Sequence, residues 1–184
     1  MPNPKLRRVP RKSLPEHMAR AHDESMAIRG DATFFEIFGN HPGLYDWYSQ
    51  RFYGEVFNDG LLDRRVKELV RYRLSTLHGC KFCNQGNRLD ALDSGLSEWE
   101  LESVEKDDYS VFDDPERAAL MLAQRLALSS EDARLDGPLY DLLASQFSDA
   151  EILELGMVIG ILSGMARFLF AFDLVEREDS CPFH

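Results

Sequence analysis

The chain has 184 residues, enough for one domain with a substantial core, and 44% hydrophobic with 11% aromatic residues fit a folded globular protein. A formal net charge of −11 argues against general affinity for nucleic acid or for acidic membrane surfaces. Lys5, Arg7, Arg8, Arg11 and Lys12 place five of the 21 basic residues in the first twelve positions, so the remaining body is more acidic than the total.

Residues 1–13 read as a flexible basic arm, free to lie on a neighbouring acidic subunit. Pro10, Pro15, Glu16 and His17 interrupt any apolar run after it, so a secretory leader is not expected. Three cysteines without an export signal point to a reducing cytoplasm, where a C-x-x-C pair is more often catalytic or metal-binding than a structural staple. The domain itself is expected over 14–175.

Helical periodicity runs through nearly all of it, with no alternation of strand type. A helix over 15–29 stops at Gly30. A short apolar turn spans 32–38. Pro42 opens a helix whose stripe is Leu44, Trp47, Tyr48, Phe52 and Val56. Asn58-Asp59-Gly60 is a turn. Asp63 caps the next helix, with Val66, Leu69, Val70, Leu74 and Leu77 as its buried face. His78-Gly79 breaks it, and a second helix runs from about Cys80 to Asp93.

Ser97-Glu98-Trp99-Glu100 is a capping box for a short helix, and residues 106–114 form an acidic loop. Asp114-Pro115 starts a helix carrying Ala119, Leu122, Ala123 and Leu126, and another covers 139–147. Ser148-Asp149-Ala150-Glu151 caps a long apolar helix, read as a buried element of a globular protein and not a membrane span. Gly156, Gly160 and Gly164 give it a smooth face for close packing. Residues 176–184 read as a frayed tail. The fold class is all-α, a bundle of seven to nine helices.

Cys80-Lys81-Phe82-Cys83 is the segment with the most chemistry. Two thiols at this spacing can close a disulfide, hold half a metal site or run redox chemistry. At a helix start, unpaired N–H groups favour a negative thiolate, and residues three apart share a face. The metal option lacks further ligands at useful spacing: His78 is near, but His17, His22, His41 and His184 are scattered. Two inert core cysteines are the remaining alternative.

Residues 68–95 resemble the AhpD-like alkylhydroperoxidases of the carboxymuconolactone decarboxylase superfamily. That redox branch carries Glu, eleven residues, Cys, two residues, Cys, three residues, His. Glu68, Cys80 and Cys83 keep the spacing. The text from Lys67 to Ser75, from Leu92 to Ser97, and from Phe147 to Ile152 followed by Gly164 and Arg167-Phe168 extends the likeness over about 40–175. The resemblance implies an AhpD-like all-α fold and a thiol-dependent peroxidase, with Cys83 as peroxidatic thiol, Cys80 as its resolving partner and Glu68 at the head of a proton relay.

It also implies a hydroperoxide substrate, a separate thiol or protein reductant, and assembly into trimers or hexamers. It implies no metal, flavin or haem, and no nucleic-acid or membrane partner. The family's histidine position is Asn87, which can hydrogen-bond but cannot take up a proton at neutral pH. The relay is therefore altered. Glu68, Asn87 and a water could still orient or deprotonate Cys83, and His78, which flanks the pair, is a possible substitute base.

The alternatives are a lactone decarboxylase-like enzyme, which would not need the pair, and a non-catalytic protein on the same scaffold. Glu68 could instead pair with Arg64, Arg65 or Arg71 on a solvated face. His78 could simply favour the helix dipole. Arg167 is a salt-bridge partner for a buried acid, a snorkelling surface residue or an anion site. Tyr45, Trp47, Tyr48, Phe52 and Tyr53 read as core or interface.

Overall fold

A computed structural model describes residues 1–183, so the end of the expected tail, His184, lies outside the described residues. After a short 3₁₀ turn at Arg11–Ser13 come α1 (Glu16–Arg29), α2 (Thr33–Phe38) and α3 (Pro42–Asp46), which runs on as a π-helix over Trp47–Asn58. Then follow α4 (Arg64–His78), α5 (Lys81–Asp93), α6 (Glu98–Glu105), α7 (Asp114–Leu126), α8 (Gly137–Ala144) and α9 (Asp149–Ala171). Among the described residues there are no strands. The fold is all-α, as the periodicity requires.

Local chemistry sets the boundaries. Gly30 and Gly79 end α1 and α4 in the left-handed conformation, at φ 68° and 63°. Both capping boxes form, at Ser97 with Glu100 and at Ser148 with Glu151. The aromatic stripe after Pro42 does not follow an α-helix: the amide of Asp59 donates five residues back to Gly54 O at 3.1 Å. Wider turns put residues four and five apart on one face. Tyr48, Phe52, Tyr53 and Phe57 therefore stack inward, while Leu44 and Trp47 remain 46% and 48% exposed.

The central element is α4, packed by α5, α7 and α9. Val66, Val70 and Leu74 join Ala119, Leu122, Leu155 and Ile159 in one core, while Leu69 and Tyr72 join Leu101 and Val104 in another. Neighbours cover even its polar positions, so Lys67, Glu68, Arg71 and Arg73 are buried. Buried charges need partners. Lys67 Nζ donates to Val56 O and pairs with Glu154 Oε1, both at 3.1 Å.

Three expectations change here. The N-terminal arm is docked, because its cations meet acids on α1 and α2: Arg8 pairs with Glu36 at 2.8 Å, Arg11 Nε donates to Asp23 at 2.6 Å, and Val9 N donates to Glu36 O at 3.0 Å. The tail is packed too, since Leu174, Val175 and Cys181 are apolar enough to join the core formed by Met18, Phe38, Cys80 and Phe170. Finally, α9 is buried on one face alone. Among the described residues, no atom beyond the helix's own backbone lies within 4 Å of a Cβ built at Gly156, Gly160 or Gly164, and Leu153 and Met157 are 69% and 54% exposed. The smooth face is therefore not covered by another of the described helices.

Candidate active site

The turn between α4 and α5 places the cysteines. Gly79 is required by its positive φ and by the tail, because a Cβ there would lie 2.6 Å from Cys181 Cα. The tail locks the start of α5: Phe82 N donates to Glu176 O at 3.3 Å and Glu178 N donates to Gly79 O at 2.8 Å. Cys80 becomes the cap of α5, and its sulfur accepts the Cys83 amide at 3.3 Å. Cys80 and Cys83 are joined in a disulfide. Cys80 is fully buried, whereas Cys83 is half-buried and faces a cavity.

That cavity, about 260 Å³, is bounded by α1, α2, the π-helix, α4, α5 and α9. Cys80, Cys83, Asn87 and His78 all line it. Tyr45, Tyr48 and Tyr53, read from sequence as core or interface, form its aromatic wall with Phe34, Phe35 and Phe82. Glu68 does not reach it. Its Oε2 lies 2.7 Å from Arg71 Nη2, and Arg64 Nε is 3.6 Å from Oε1.

Glu68 is buried, so the solvated-face pairing is corrected: two of the three expected arginines are its neighbours, Arg71 buried beside it and Arg64 reaching in from the surface. Arg65 turns instead to Glu116 Oε1 at 2.7 Å and to Glu100. Burial raises the Glu68 carboxyl above its ordinary value, and the positive charge of Arg71 only partly offsets this. Arg71 directs its Nη2 hydrogen to Asp90 Oδ2 at 2.5 Å and stands between Glu68 and the cavity. A guanidinium cannot pass on a proton. The carboxylate that does line the cavity is Asp90.

Sequence reading missed Asp90, although Cys83, Asn87 and Asp90 follow the i, i+4, i+7 spacing of one helix face. Asn87 sits beside Arg71, its Nδ2 3.5 Å from Arg71 O. Arg167 is an exposed residue whose guanidinium covers the Phe183 ring at 5.3 Å, the snorkelling arrangement.

His78 has another task. Its Nε2 accepts the Leu128 amide at 3.1 Å, which puts the ring proton on Nδ1 and occupies the nitrogen a base would use. Burial, with the charge of Arg167, lowers its pKa to about 4. Between pH 6.5 and about 4 the unfolded chain binds a proton that the folded chain refuses, so stability falls as pH falls through that window, by up to about 3 kcal/mol. Urea midpoints should show wild type losing ground to His78→Gln across this window and holding a constant difference above it. A pH-independent difference would contradict the neutral, buried imidazole.

Residues 42–125, which contain the π-helix, α4 and the cysteine pair, match the carboxymuconolactone decarboxylase family. The match covers the segment that carries the cysteine pair, and over that segment the chain is similar to this family. An uncharacterized protein of Mycobacterium tuberculosis is 36% identical over 95 residues, a match covering 51% of this chain and 33% of the relative. The match thus spans about a third of that relative's length. Uncharacterized protein YdfG of Bacillus subtilis is 25% identical over 111 residues, 60% of this chain and 75% of YdfG.

Among solved structures, the chain shares its fold with an uncharacterized peroxidase-related protein with an alkylhydroperoxidase AhpD core from Ralstonia eutropha. The TM-score is 0.73 at 14% identity, over 97% of this chain and 94% of that one. The apo debrominase Bmp8 gives 0.73 at 20% identity, over 96% and 94%. At these identities the likeness is one of fold.

Proposed function

We propose that this protein is a thiol-dependent peroxidase of the AhpD-like kind, working through Cys83 and Cys80. One observation supports it above the others: the two sulfurs are within bonding reach at a cavity wall, one buried and one half-buried. The half-buried sulfur is the one a substrate can meet. In the reduced protein the Cys83 thiolate attacks a hydroperoxide oxygen; the O–O bond breaks, an alkoxide leaves and takes a proton, and Cys83 becomes a sulfenic acid. The Cys80 thiolate attacks that sulfur, forming the disulfide and releasing hydroxide. The Cys83 amide at the Cys80 sulfur stabilises negative charge there. An external dithiol returns two electrons and two protons.

The proton from Cys83 passes through a water beside Asn87 to Asp90, the carboxylate in the cavity, and from there to the departing alkoxide. Asp90→Asn separates this role from a simple charge effect, because the two have opposite signs. Removing a nearby negative charge favours the thiolate, so the pH profile of alkylation shifts toward more thiolate. Losing the proton acceptor should nevertheless slow peroxide consumption about tenfold or more. If both rise together, Asp90 is only a charge.

The overall test is a thiol count before and after one equivalent of hydroperoxide. Wild type should lose two thiols per chain while Cys181 remains, since its Sγ is buried and donates to His78 O at 3.1 Å. No loss of thiols would reject the reading and bring back a lactone-directed or non-catalytic role. Assembly into trimers or hexamers fits the exposed Trp47, Leu153 and Met157, and the acidic body fits a reducing cytoplasm better than a membrane surface.

A further inference from the structure

The charge of the cavity is not explained by thiol chemistry. Arg29 ends α1, outside the segment that matches the family, yet its guanidinium reaches across to α5 and lines the cavity. Its Nε donates to Phe82 O at 3.1 Å, and its plane covers the Phe82 ring at 4.7 Å. Gly86 makes room for it, because any Cβ at that position would strike the guanidinium. A glycine inside a helix costs about 1 kcal/mol relative to alanine, so the space has a thermodynamic cost. Among the described residues no carboxylate forms an ion pair with Arg29, and Asp90, which lines the same cavity, is held by Arg71. Two arginines thus face one carboxylate in a chain of net charge −11, and His78 is neutral.

We infer that the cavity binds an aryl carboxylate, with its carboxylate on Arg29 and its ring among Tyr45, Tyr48 and Tyr53, in contact with Cys83. The inference deepens the thiol–peroxide reading by naming the class of molecule brought to that sulfur. A guanidinium held flat by an aromatic ring and a carbonyl is preorganised to fork a carboxylate. Size agrees: an apolar cavity of about 150 Å³ accepts a benzene ring. The 260 Å³ here leaves room for a ring with substituents. A neutral ring of the same shape would gain only the apolar contacts.

Benzoate and its neutral isostere benzamide, titrated calorimetrically into the oxidised full-length protein, test this. Benzoate should bind at least about tenfold more tightly. Arg29→Gln should bring the two within about twofold of each other, and Arg29→Lys should retain a preference for benzoate. In the reduced wild type, benzoate should slow alkylation of Cys83.

Equal affinities, a preference that survives Arg29→Gln, no binding by either probe at about 20 mM, or binding that leaves Cys83 alkylation unchanged would each overturn the inference. Should Arg29→Gln fail to fold, the salt dependence of the benzoate–benzamide difference in wild type decides; a difference insensitive to salt overturns it. The titration uses no peroxide, so its failure leaves the redox reading standing. A protein that binds benzoate but loses no thiols would remove the redox reading alone.

Discussion

Cys83→Ser should abolish hydroperoxide consumption, lowering the rate by about 10³-fold or more, because Cys80, the other sulfur at the cavity, is fully buried. Cys80→Ser should behave differently. Cys83 would still be oxidised once, and the sulfenic acid, with no partner to condense with, could be trapped there by a dimedone-type reagent. The asymmetry rests on position. Both sulfurs border the cavity, but Cys80 is fully buried against Val175 and Cys181, whereas Cys83 is half-buried. Mass spectrometry of the two variants after one equivalent of peroxide checks both outcomes. A sulfenic acid on Cys80 in the Cys83→Ser variant would reverse the assignment, and undiminished turnover would remove the pair from the chemistry.

Lys67→Ala should be among the most destabilising single changes, at about 3–5 kcal/mol, since it leaves the half-buried Glu154 carboxylate without its cation and empties a fully buried position. Lys67 is fully buried. Glu154 accepts the amides of Leu61 and Leu62 at 2.7 and 3.1 Å as well as pairing with Lys67, so one carboxylate ties the turn before α4 to α9. Glu154→Ala should be at least as damaging, because it orphans two amides and the ammonium. Against a typical stability of about 5–15 kcal/mol, either change should lower the melting temperature by roughly 10 °C.

The pH dependence follows in sign. Burial pushes the Glu154 carboxyl up, but the two amides and Lys67 outweigh it and hold it below the ordinary 4.5. The stabilisation is therefore present above pH 4.5 and is lost as pH falls below it. Denaturant midpoints measured from pH 7 to pH 3 should show wild type and Lys67→Ala converging. A gap that is constant with pH would mean that packing, and not the pair, is lost.

Much of the fold was legible because it is written in short-range signals. The glycine stops at 30 and 79, the capping boxes at Ser97 and Ser148, and the spacing of Val66, Val70 and Leu74 each act within a few residues. The π-helix was not, because an aromatic-rich stripe fits an α-helix nearly as well until neighbours select which rings turn inward. The docked arm was misread for a related reason: basic residues near a terminus resemble a solvated tail until Glu36 and Asp23 are brought beside them.

The site divides along the same line. Sequence alone determined the cysteine spacing, the helix start that holds it and the place of Asn87 one turn beyond Cys83, because covalent order fixes which groups share one turn of helix. Tertiary structure decided the rest. Packing α4 on all sides buried Glu68 behind Arg71 and left Asp90 as the cavity's acid. Folding of the termini brought Arg29 over Gly86 and sealed Cys80. Those outcomes depend on which distant surfaces exclude water from one another, a property of the folded whole that no local spacing encodes.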